Sequence, residues 1–212
     1  MIKIIDYKAG NAPSVSYAAT RLGYEASFAR CPQDIADATH IILPGVGSAK
    51  ATMESLTEMG LTGALEDSVL RKKTMFLGIC VGLQILFDHS EEEDTDCLGW
   101  LNGRTVKFDV SKVRVPQIGW NRVRLIKSPV CEAHDDFFYF VNSYYVKPDD
   151  ESDLWGIADY NGPFAAAVRK DNIYATQFHI EKSGEAGLAL LDSFLGHNKE
   201  DGNADNTVDS LL

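Results

Sequence analysis

The sequence predicts an α/β fold whose central sheet is mainly parallel and is extended by antiparallel strands. In the first half of the 212-residue chain, short apolar runs alternate with segments of helical periodicity, as in βαβ units. In the second half, strand-like runs follow one another with few helices between them, which indicates antiparallel pairing. Apolar residues make up 45% of the chain and charged residues 24%, so a core of ordinary size is expected.

The elements of the first half follow from apolar periodicity and turn signals. Strands are expected at residues 2–5, 26–29, 41–43 and 75–79. A helix is expected over residues 13–22 and ends before Gly23. Another helix begins after Ser48 and runs to about residue 59, and a further helical pattern continues to residue 72.

The second half is read as strands until its last helix. The strands are expected at residues 105–108, 122–126, 137–141, 155–158, 164–168 and 173–178. An amphipathic helix is expected over residues 184–195. One domain is therefore predicted for residues 1–196, and the acidic composition of residues 197–212 predicts a disordered tail.

The composition argues against several classes of function. With 31 acidic and 20 basic residues, the formal net charge is −11, which disfavours binding to nucleic-acid phosphates or to an anionic membrane surface. The cysteines (Cys31, Cys80, Cys97 and Cys131) have neither the spacing of a zinc site nor the density of a disulfide framework. No signal-peptide pattern is present, and the longest apolar stretch, residues 75–87, is too short to cross a bilayer as a helix. We therefore expect a soluble, cytoplasmic protein.

The strongest chemical signal lies at Cys80, where a predicted buried strand meets a predicted helix. Residues 78–82 have the Gly-x-Cys-x-Gly form of a nucleophile elbow, the tight turn that lifts a side chain above a sheet. A Cβ at Gly78 or Gly82 is expected to clash in this turn. The following helix would favour the thiolate, and the Val81 N–H would point towards an oxyanion. A buried, inert core cysteine is the alternative interpretation.

A thiolate nucleophile needs a base, and His179 is the best placed of the histidines. It closes the predicted strand 173–178, and Glu181 follows two residues later, on the same side of an extended chain. Glu181 would then orient the His179 ring and stabilise its imidazolium, as the third member of a catalytic triad does. A structural histidine at a strand end is the simpler alternative.

A glycine-rich turn, PGVG at residues 44–47, follows the third predicted strand. Glycines on both sides of Val46 permit a peptide to flip and present an N–H, which would be a second oxyanion donor beside Val81. In isolation the turn is more simply read as a loop before the helix capped by Ser48. Because ligands bind at the carboxyl ends of strands in open α/β sheets, this turn, Cys80 and His179 are expected to meet at one site.

Together, the segments LGICVGLQ, PGVG and QFHIEKS resemble class I glutamine amidotransferases, which have a Cys-His-Glu triad. The resemblance runs from residue 1 to about 195, and it implies a three-layer, flavodoxin-like fold. Three further segments, IDYKAGN, VPQIGWN and FYFVNSYY, are similar to those glutaminase subunits of the family that serve a (β/α)8-barrel cyclase in histidine biosynthesis. The resemblance implies a heterodimer with such a cyclase, and it implies no metal or organic cofactor.

The resemblance also implies roles for single residues. Cys80 would attack the side-chain amide of glutamine and form a thioester, His179 would protonate the departing ammonia and then activate water, and Glu181 would orient His179. Val81 and a flipped Val46–Gly47 peptide would form the oxyanion hole. The remaining matched positions bind glutamine (Gly45, Gln84, Ser143 and Tyr144) or face the partner (Asn11, Pro116, Trp120, Tyr139 and Lys182).

Three residues depart from the family pattern. Ile180 stands where proline usually separates the triad histidine from the glutamate, so this loop is less constrained, but the His-x-Glu spacing is kept and activity is expected. Asn142 replaces a common histidine and cannot carry charge. Lys8 replaces a usual glycine near the expected partner surface. The acidic run 91–96 is read as a solvated loop without a function.

Other functions remain open from the sequence. The chain could serve another amidotransferase, such as aminodeoxychorismate synthase, anthranilate synthase or the enzyme of pyridoxal phosphate synthesis, although VPQIGWN and DYKAGN argue against these. It could be a non-catalytic subunit that keeps the fold, although intact Cys80, His179 and Glu181 argue against that. It could also be a free-standing cysteine hydrolase or peptidase, which Gln84 and the expected partner surface oppose.

Overall fold

Five parallel strands form the centre of a mixed sheet. A computed structural model describes residues 1–7 and 11–197 of the chain. The parallel strands are β1 (Ile2–Ile5), β2 (Ala26–Ala29), β3 (His40–Gly45), β4 (Met75–Cys80) and β13 (Ile173–Thr176). They lie side by side in the order β2-β1-β3-β4-β13. Their near-continuous burial at β3, β4 and β13 is typical of a parallel sheet covered on both faces.

The other strands extend this sheet, mostly by antiparallel pairing. They are β5 (His89–Ser90), β6 (Thr95–Asp96), β7 (Gly103–Lys107), β8 (Gln117–Leu125), β9 (His134–Asn142), β10 (Tyr144–Pro148), β11 (Leu154–Asp159) and β12 (Pro163–Lys170). From β12, one path runs through β10, β7 and β5 to β6, and another runs through β11 to the hairpin of β8 and β9. The predicted α/β class, with its parallel centre and antiparallel extension, is confirmed.

Within residues 1–7 and 11–197, five α-helices and several short turns of helix connect the strands. The α-helices are α1 (Ala12–Arg21), α2 (Ala49–Glu58), α3 (Leu61–Glu66), α4 (Val81–Gln84) and α5 (Gly184–Gly196). The short turns are a π-helix (Asp67–Arg71) and 3-10 helices (Pro32–Ile35, Glu151–Asp153 and Ile180–Lys182). In the described part of the chain, no helix is long and apolar enough to cross a membrane.

Most predicted elements are found, and the differences have local causes. The Ser48 hydroxyl caps α2 by accepting the Ala51 N–H at 3.3 Å, as its position predicts. The strand predicted to continue to residue 178 ends at Thr176, whose hydroxyl donates to the Phe178 carbonyl at 2.9 Å and turns the chain. Strand β10 was not predicted. The tail predicted at 197–212 lies outside the described residues except for His197, and so does Lys8.

The sheet brings the three predicted chemical segments together. Gly45 at the end of β3 lies opposite Cys80 at the end of β4, and Thr176 at the end of β13 lies opposite Ile79. Three neighbouring parallel strands therefore end at one edge, where the PGVG turn, Cys80 and His179 follow them. The predicted convergence at the carboxyl ends of the strands is confirmed.

Candidate active site

Cys80 occupies a strained turn between β4 and α4. Its φ of 55° and ψ of −105° are unusual for a residue with a side chain, and the side chain is 4% exposed. A Cβ on Gly78 would overlap the Gly82 carbonyl, and one on Gly82 would overlap the Leu43 carbonyl, so the predicted need for glycine is confirmed. The helix predicted to begin after Cys80 is found as α4, which is a single turn.

His179 and Glu181 are in direct contact. The Nδ1–H of His179 donates to Glu181 Oε1 at 2.9 Å, and both side chains are nearly inaccessible to solvent. The contact arises because residues 180–182 form a 3-10 turn, rather than from the extended chain on which the sequence argument relied. Asn11 Nδ2 donates to the same carboxylate oxygen at 3.0 Å. Asn11 therefore touches the His179–Glu181 pair, a contact that its predicted partner-facing role did not include.

The electrostatics favour a charged His179–Glu181 pair. Burial lowers the pKa of His179, but hydrogen bonds and negative charges at Cys80 and Glu181 outweigh it and raise that pKa to about 9. For Glu181, burial alone would raise the pKa, whereas the hydrogen bond and charge of His179 and the Asn11 amide lower it. A protonated imidazole beside Cys80 stabilises a thiolate there.

A chain of amide hydrogen bonds also reaches Cys80. Gln84 Nε2 donates to the Tyr144 carbonyl at 3.2 Å and to Gln177 Oε1 at 3.1 Å. Gln177 Nε2 in turn donates to the Cys80 sulfur at 3.6 Å. The sulfur also lies 3.9 Å from the Val141 carbonyl oxygen. Gln177 is fully buried, and the sequence analysis gave it no role.

Cys80 and His179 line a cavity of about 310 Å³ that also contains most of the predicted oxyanion and glutamine-binding residues. The other lining residues are Val46, Gly47, Val81, Gln84, Glu92, Pro116, Val141, Asn142, Ser143, Tyr144 and Lys182. Gly45 does not line it, because Val81 and Gly82 occupy the space beside its Cα. Gly47 has a φ of +96°, a conformation that favours glycine. This volume lies at the lower end of the range for small-molecule sites.

Glu92 contradicts the interpretation of residues 91–96 as a solvated loop. Its side chain is half-buried and lines the cavity, and its Oε2 accepts the Ala49 N–H at 2.8 Å at the start of α2. Burial raises its pKa, and the Ala49 hydrogen bond opposes that shift. The neighbouring acids of the run are exposed, as predicted. Nothing in the sequence marks Glu92, because its contacts are made by distant segments.

Four of the five predicted partner-facing residues lie together beside the cavity. Pro116 and Lys182 are exposed and line its mouth, and the Trp120 ring stacks edge-to-face on Tyr139 with ring centroids 5.9 Å apart. Trp120 is 57% exposed. In the antiparallel pair of β8 and β9, Ile118 lies opposite Val141 and Trp120 lies opposite Tyr139. All four residues are on one side of the hairpin. We call these residues (Ile118, Trp120, Tyr139 and Val141) the hairpin face.

The described departures from the family pattern lie inside the protein. Ile180 is 1% exposed and packs in the core at the first position of its 3-10 turn. Asn142 is buried, and its Nδ2 donates to the Tyr144 carbonyl at 2.9 Å. Within residues 1–7 and 11–197, no group of three or more His, Cys, Asp or Glu side chains is arranged to hold a metal ion.

Comparison with known proteins defines the class. The family model for class-I glutamine amidotransferases matches residues 3–197. The crystal structure of a glutamine amidotransferase is similar to this chain, with a TM-score of 0.74 and 17% sequence identity. The match covers 95% of this chain and 98% of that one. The structure of PurLQS from Thermotoga maritima has a TM-score of 0.71 and 18% identity, with coverage of 92% and 96%. The fold and the family match agree: the chain belongs to the class-I glutamine amidotransferases.

More similar relatives narrow this membership. Imidazole glycerol phosphate synthase subunit HisH 2 of Methanococcus maripaludis is 42% identical over 199 residues, which cover 92% of this chain and 98% of the relative. Subunit HisH of Leptospira interrogans is 41% identical over 201 residues, with the same coverage. Within the class-I amidotransferases, the chain is a member of the HisH group.

Proposed function

We propose that the chain is the glutaminase subunit of imidazole glycerol phosphate synthase. It hydrolyses glutamine to glutamate and passes the ammonia to a (β/α)8-barrel cyclase subunit. The observation that carries the proposal is the buried His179 ring, which hydrogen-bonds Glu181 and lines, together with Cys80, a cavity large enough for an amino acid. The identity of the complex is supported by relatives that are named as its HisH subunits.

The first half of the reaction uses the Cys80 thiolate and the His179 imidazolium. The sulfur attacks the side-chain amide carbon of glutamine, and the carbonyl electron pair moves onto oxygen. The Val81 N–H and a flipped Val46–Gly47 peptide stabilise that oxyanion. When the intermediate collapses, the C–N bond breaks and His179 gives its proton to the leaving group, which departs as ammonia.

The second half hydrolyses the thioester. His179, now neutral, removes a proton from water as the water oxygen attacks the thioester carbon, and the Cys80 thiolate leaves. Glu181 keeps the ring in position throughout, because its oxygen accepts the Nδ1–H at 2.9 Å. Glutamate then dissociates, and His179 and Cys80 return to their charged forms.

Glutamine is held by the polar wall of the cavity. Both amide hydrogens of Gln84 are engaged by Tyr144 and Gln177, so Gln84 can offer the substrate its carbonyl oxygen. The Glu92 oxygen that does not bind the Ala49 N–H is a second acceptor on this wall. Together, the Gln84 and Glu92 oxygens suit the α-ammonium group of glutamine. Ser143 and Tyr144 complete this wall. Gly45 acts by allowing the turn to pack closely, rather than by contact with glutamine.

The cyclase docks on the hairpin face and on Pro116 and Lys182 at the cavity mouth. An exposed tryptophan beside an active site is a common interface anchor, and Trp120 is 57% exposed here. Docking at this mouth lets ammonia enter the barrel without release to solvent. There it combines with a phosphoribulosyl aminoimidazole carboxamide nucleotide, which yields imidazole glycerol phosphate and an aminoimidazole carboxamide ribonucleotide. Residues 1–196 form the amidotransferase unit of this cytoplasmic complex.

The deciding experiment measures glutamate release from glutamine by the purified chain. It is run with the chain alone, with the cyclase subunit of the same organism, and with the cyclase and its nucleotide substrate. A low rate alone and a large increase in the complete mixture are expected. A high rate alone would instead favour a free-standing hydrolase, and no release in any mixture would indicate a non-catalytic subunit.

Cys80→Ala provides the matched control. This variant should release no glutamate and should still form the complex in size-exclusion chromatography, because Cys80 is buried and is not part of the hairpin face. Turnover near the wild-type rate would remove Cys80 as the nucleophile. Loss of the complex together with turnover would point to a folding defect, which thermal unfolding would reveal.

A further inference from the structure

Gln177 is a fully buried polar side chain next to the nucleophile, and the triad chemistry does not use it. It follows β13, two residues before His179. Its Nε2 lies 3.6 Å from the Cys80 sulfur, and its Oε1 lies 3.1 Å from Gln84 Nε2. A buried amide is unfavourable unless its donors and acceptors are paired, so these two contacts account for its presence.

The neighbouring hydrogen bonds determine which end of the Gln177 amide faces Cys80. The Tyr144 carbonyl oxygen can only accept, so the Gln84 amide nitrogen must be the atom that faces it. That nitrogen has a second hydrogen, which Gln177 Oε1 accepts. The amide nitrogen of Gln177 is therefore left to face the sulfur, and it carries an N–H donor to it.

We propose that Gln177 is a positioning residue, which donates a hydrogen bond to the Cys80 sulfur and stabilises the thiolate. A thiolate accepts an N–H hydrogen bond more strongly than a thiol does, so the donor favours the charged nucleophile. Unlike His179, Gln177 keeps its donor when the proton has gone to ammonia, and it is in place again when the thiolate leaves in the second half. The inference rests on the proposed function in taking Cys80 as the nucleophile.

Other groups around Cys80 also act on its charge. The titratable and charged groups that face it are His179 with Glu181 behind it, Tyr7 after β1, and Glu92 and Lys182 on the cavity wall. These groups are unchanged when Gln177 is substituted. In the absence of glutamine, a difference in the alkylation midpoint between wild type and Gln177→Met therefore reports the loss of the Gln177 amide.

The test is the pH dependence of Cys80 alkylation by iodoacetamide, measured on the full chain without glutamine or partner. Peptide mass spectrometry follows Cys80 separately from the other three cysteines. Gln177→Met removes the donor but keeps the length of the side chain, and it should move the alkylation midpoint to higher pH by roughly 0.5 to 1 unit. Gln177→Glu places a carboxylate against the sulfur and should move the midpoint further in the same direction.

Steady-state kinetics in the complete mixture give a second readout. Gln177→Met should lower kcat for glutamine hydrolysis about tenfold, because the donor acts on the nucleophile. It should also raise KM, because it removes the acceptor of one Gln84 amide hydrogen. Gln117→Met is the matched control, since it removes another buried amide that does not bond Cys80, and it should leave the alkylation midpoint unchanged. An unchanged midpoint in folded Gln177→Met would overturn the proposal.

A measurement on the wild-type protein tests the proposal even if the Gln177 variants unfold. The side-chain amide protons of Gln177, observed by NMR after 15N-glutamine labelling, should shift with the same pH midpoint as Cys80 alkylation. Resonances that do not follow that midpoint would also overturn the proposal. Since alkylation needs neither glutamine nor cyclase, absence of glutamate release in every mixture refutes the proposed function separately.

Discussion

Glu92 gives the cavity wall a carboxylate that is already held in place. Its Oε2 accepts the Ala49 N–H at 2.8 Å, so the carboxylate is oriented before any ligand arrives. Such orientation reduces the entropy lost when a charged group binds its partner. An α-ammonium group is the part of glutamine that matches it, whereas the reacting amide must lie at Cys80.

Glu92→Gln should therefore weaken substrate binding more than chemistry. We expect KM for glutamine to rise roughly 10- to 100-fold, the range for losing a charged hydrogen bond, with kcat changed by less than about threefold. Glu93→Gln alters the exposed neighbouring acid and should leave both constants unchanged. Equal effects of the two variants would show that general charge, rather than contact by Glu92, is responsible.

The raised pKa of His179 predicts the pH at which its ring loses a proton. Its pKa is raised from 6.5 to about 9 by Cys80 and Glu181 against the effect of burial, so the ring should remain protonated at neutral pH and lose its proton near pH 9. In Glu181→Gln the carboxylate charge is absent, and the midpoint should fall. NMR of 15N-histidine-labelled protein measures it directly, and His179→Asn identifies the resonance. A midpoint that is equal in wild type and Glu181→Gln would contradict the role of Glu181.

The site residues that could be predicted from the sequence belong to motifs formed by residues close together in the chain. Cys80 stands between two required glycines, and His179 is two residues from Glu181, so the pattern is local. Glu92 and Gln177 depend instead on contacts with α2 and with Gln84, which lie far away in sequence. Local patterns hold no information about such contacts, and an acidic run or a strand-end glutamine has simpler interpretations.

At the scale of elements, the spacing of apolar residues predicted which segments form strands and helices, but it did not predict where each one ends. Strand β4 was predicted within one residue because a buried parallel strand is continuously apolar. The helix predicted through residue 72 instead ends at Glu66 and continues as a π-helix at Asp67–Arg71. Strand β10, at Tyr144–Pro148, was missed because its tyrosines and lysine give no clear alternation and it follows β9 almost at once.

The β8–β9 hairpin supplies a prediction about docking. Its exposed face carries Trp120 on the same side of the hairpin as Val141, which lines the cavity. A desolvated tryptophan at an interface contributes strongly to affinity. We expect Trp120→Ala to weaken binding of the cyclase by roughly 10- to 100-fold, measured by isothermal titration calorimetry. The rate of Cys80 alkylation in the free chain should not change.

Phe28→Ala is the control for that prediction. Phe28 is an exposed aromatic residue on β2, at the opposite edge of the parallel strands, and its loss should leave the affinity for the cyclase unchanged. If Trp120→Ala binds as tightly as Phe28→Ala, the hairpin face is not the docking surface. The proposed route of ammonia through the cavity mouth would then need another exit.

At the scale of the whole molecule, the order of strands in the sheet brings the site residues together. β3, β4 and β13 are separated by many residues in sequence but are neighbours in the sheet, so their carboxyl ends hold the PGVG turn, Cys80 and His179 together. Alternation of strands and helices predicted a parallel centre, and the rule for ligand sites predicted the edge. The path of the antiparallel extension was not predictable, because each antiparallel strand has several possible partners of similar pattern.

The end of the described chain is tied back to this sheet. His40, at the start of β3, is 3% exposed, and its Nε2–H donates to the His197 carbonyl at 2.8 Å. Its ring also packs edge-to-face on Phe194 of α5, with ring centroids 5.5 Å apart. Burial lowers the pKa of His40, so the ring is neutral and its N–H needs an acceptor.

This contact makes His197 the boundary for truncation, one residue later than the sequence suggested. Deletion of residues 198–212 keeps a His197 oxygen as the acceptor, now in the terminal carboxylate, and should change neither glutamate release nor the melting temperature by more than about 1 °C. Deletion of 197–212 leaves the buried His40 donor unpaired and should lower the melting temperature by about 2–6 °C. Differential scanning calorimetry of both forms separates the effects. Equal melting temperatures would show that the His40 contact does not stabilise the fold, and lost activity in the shorter deletion would give residues 198–212 a role in catalysis or docking.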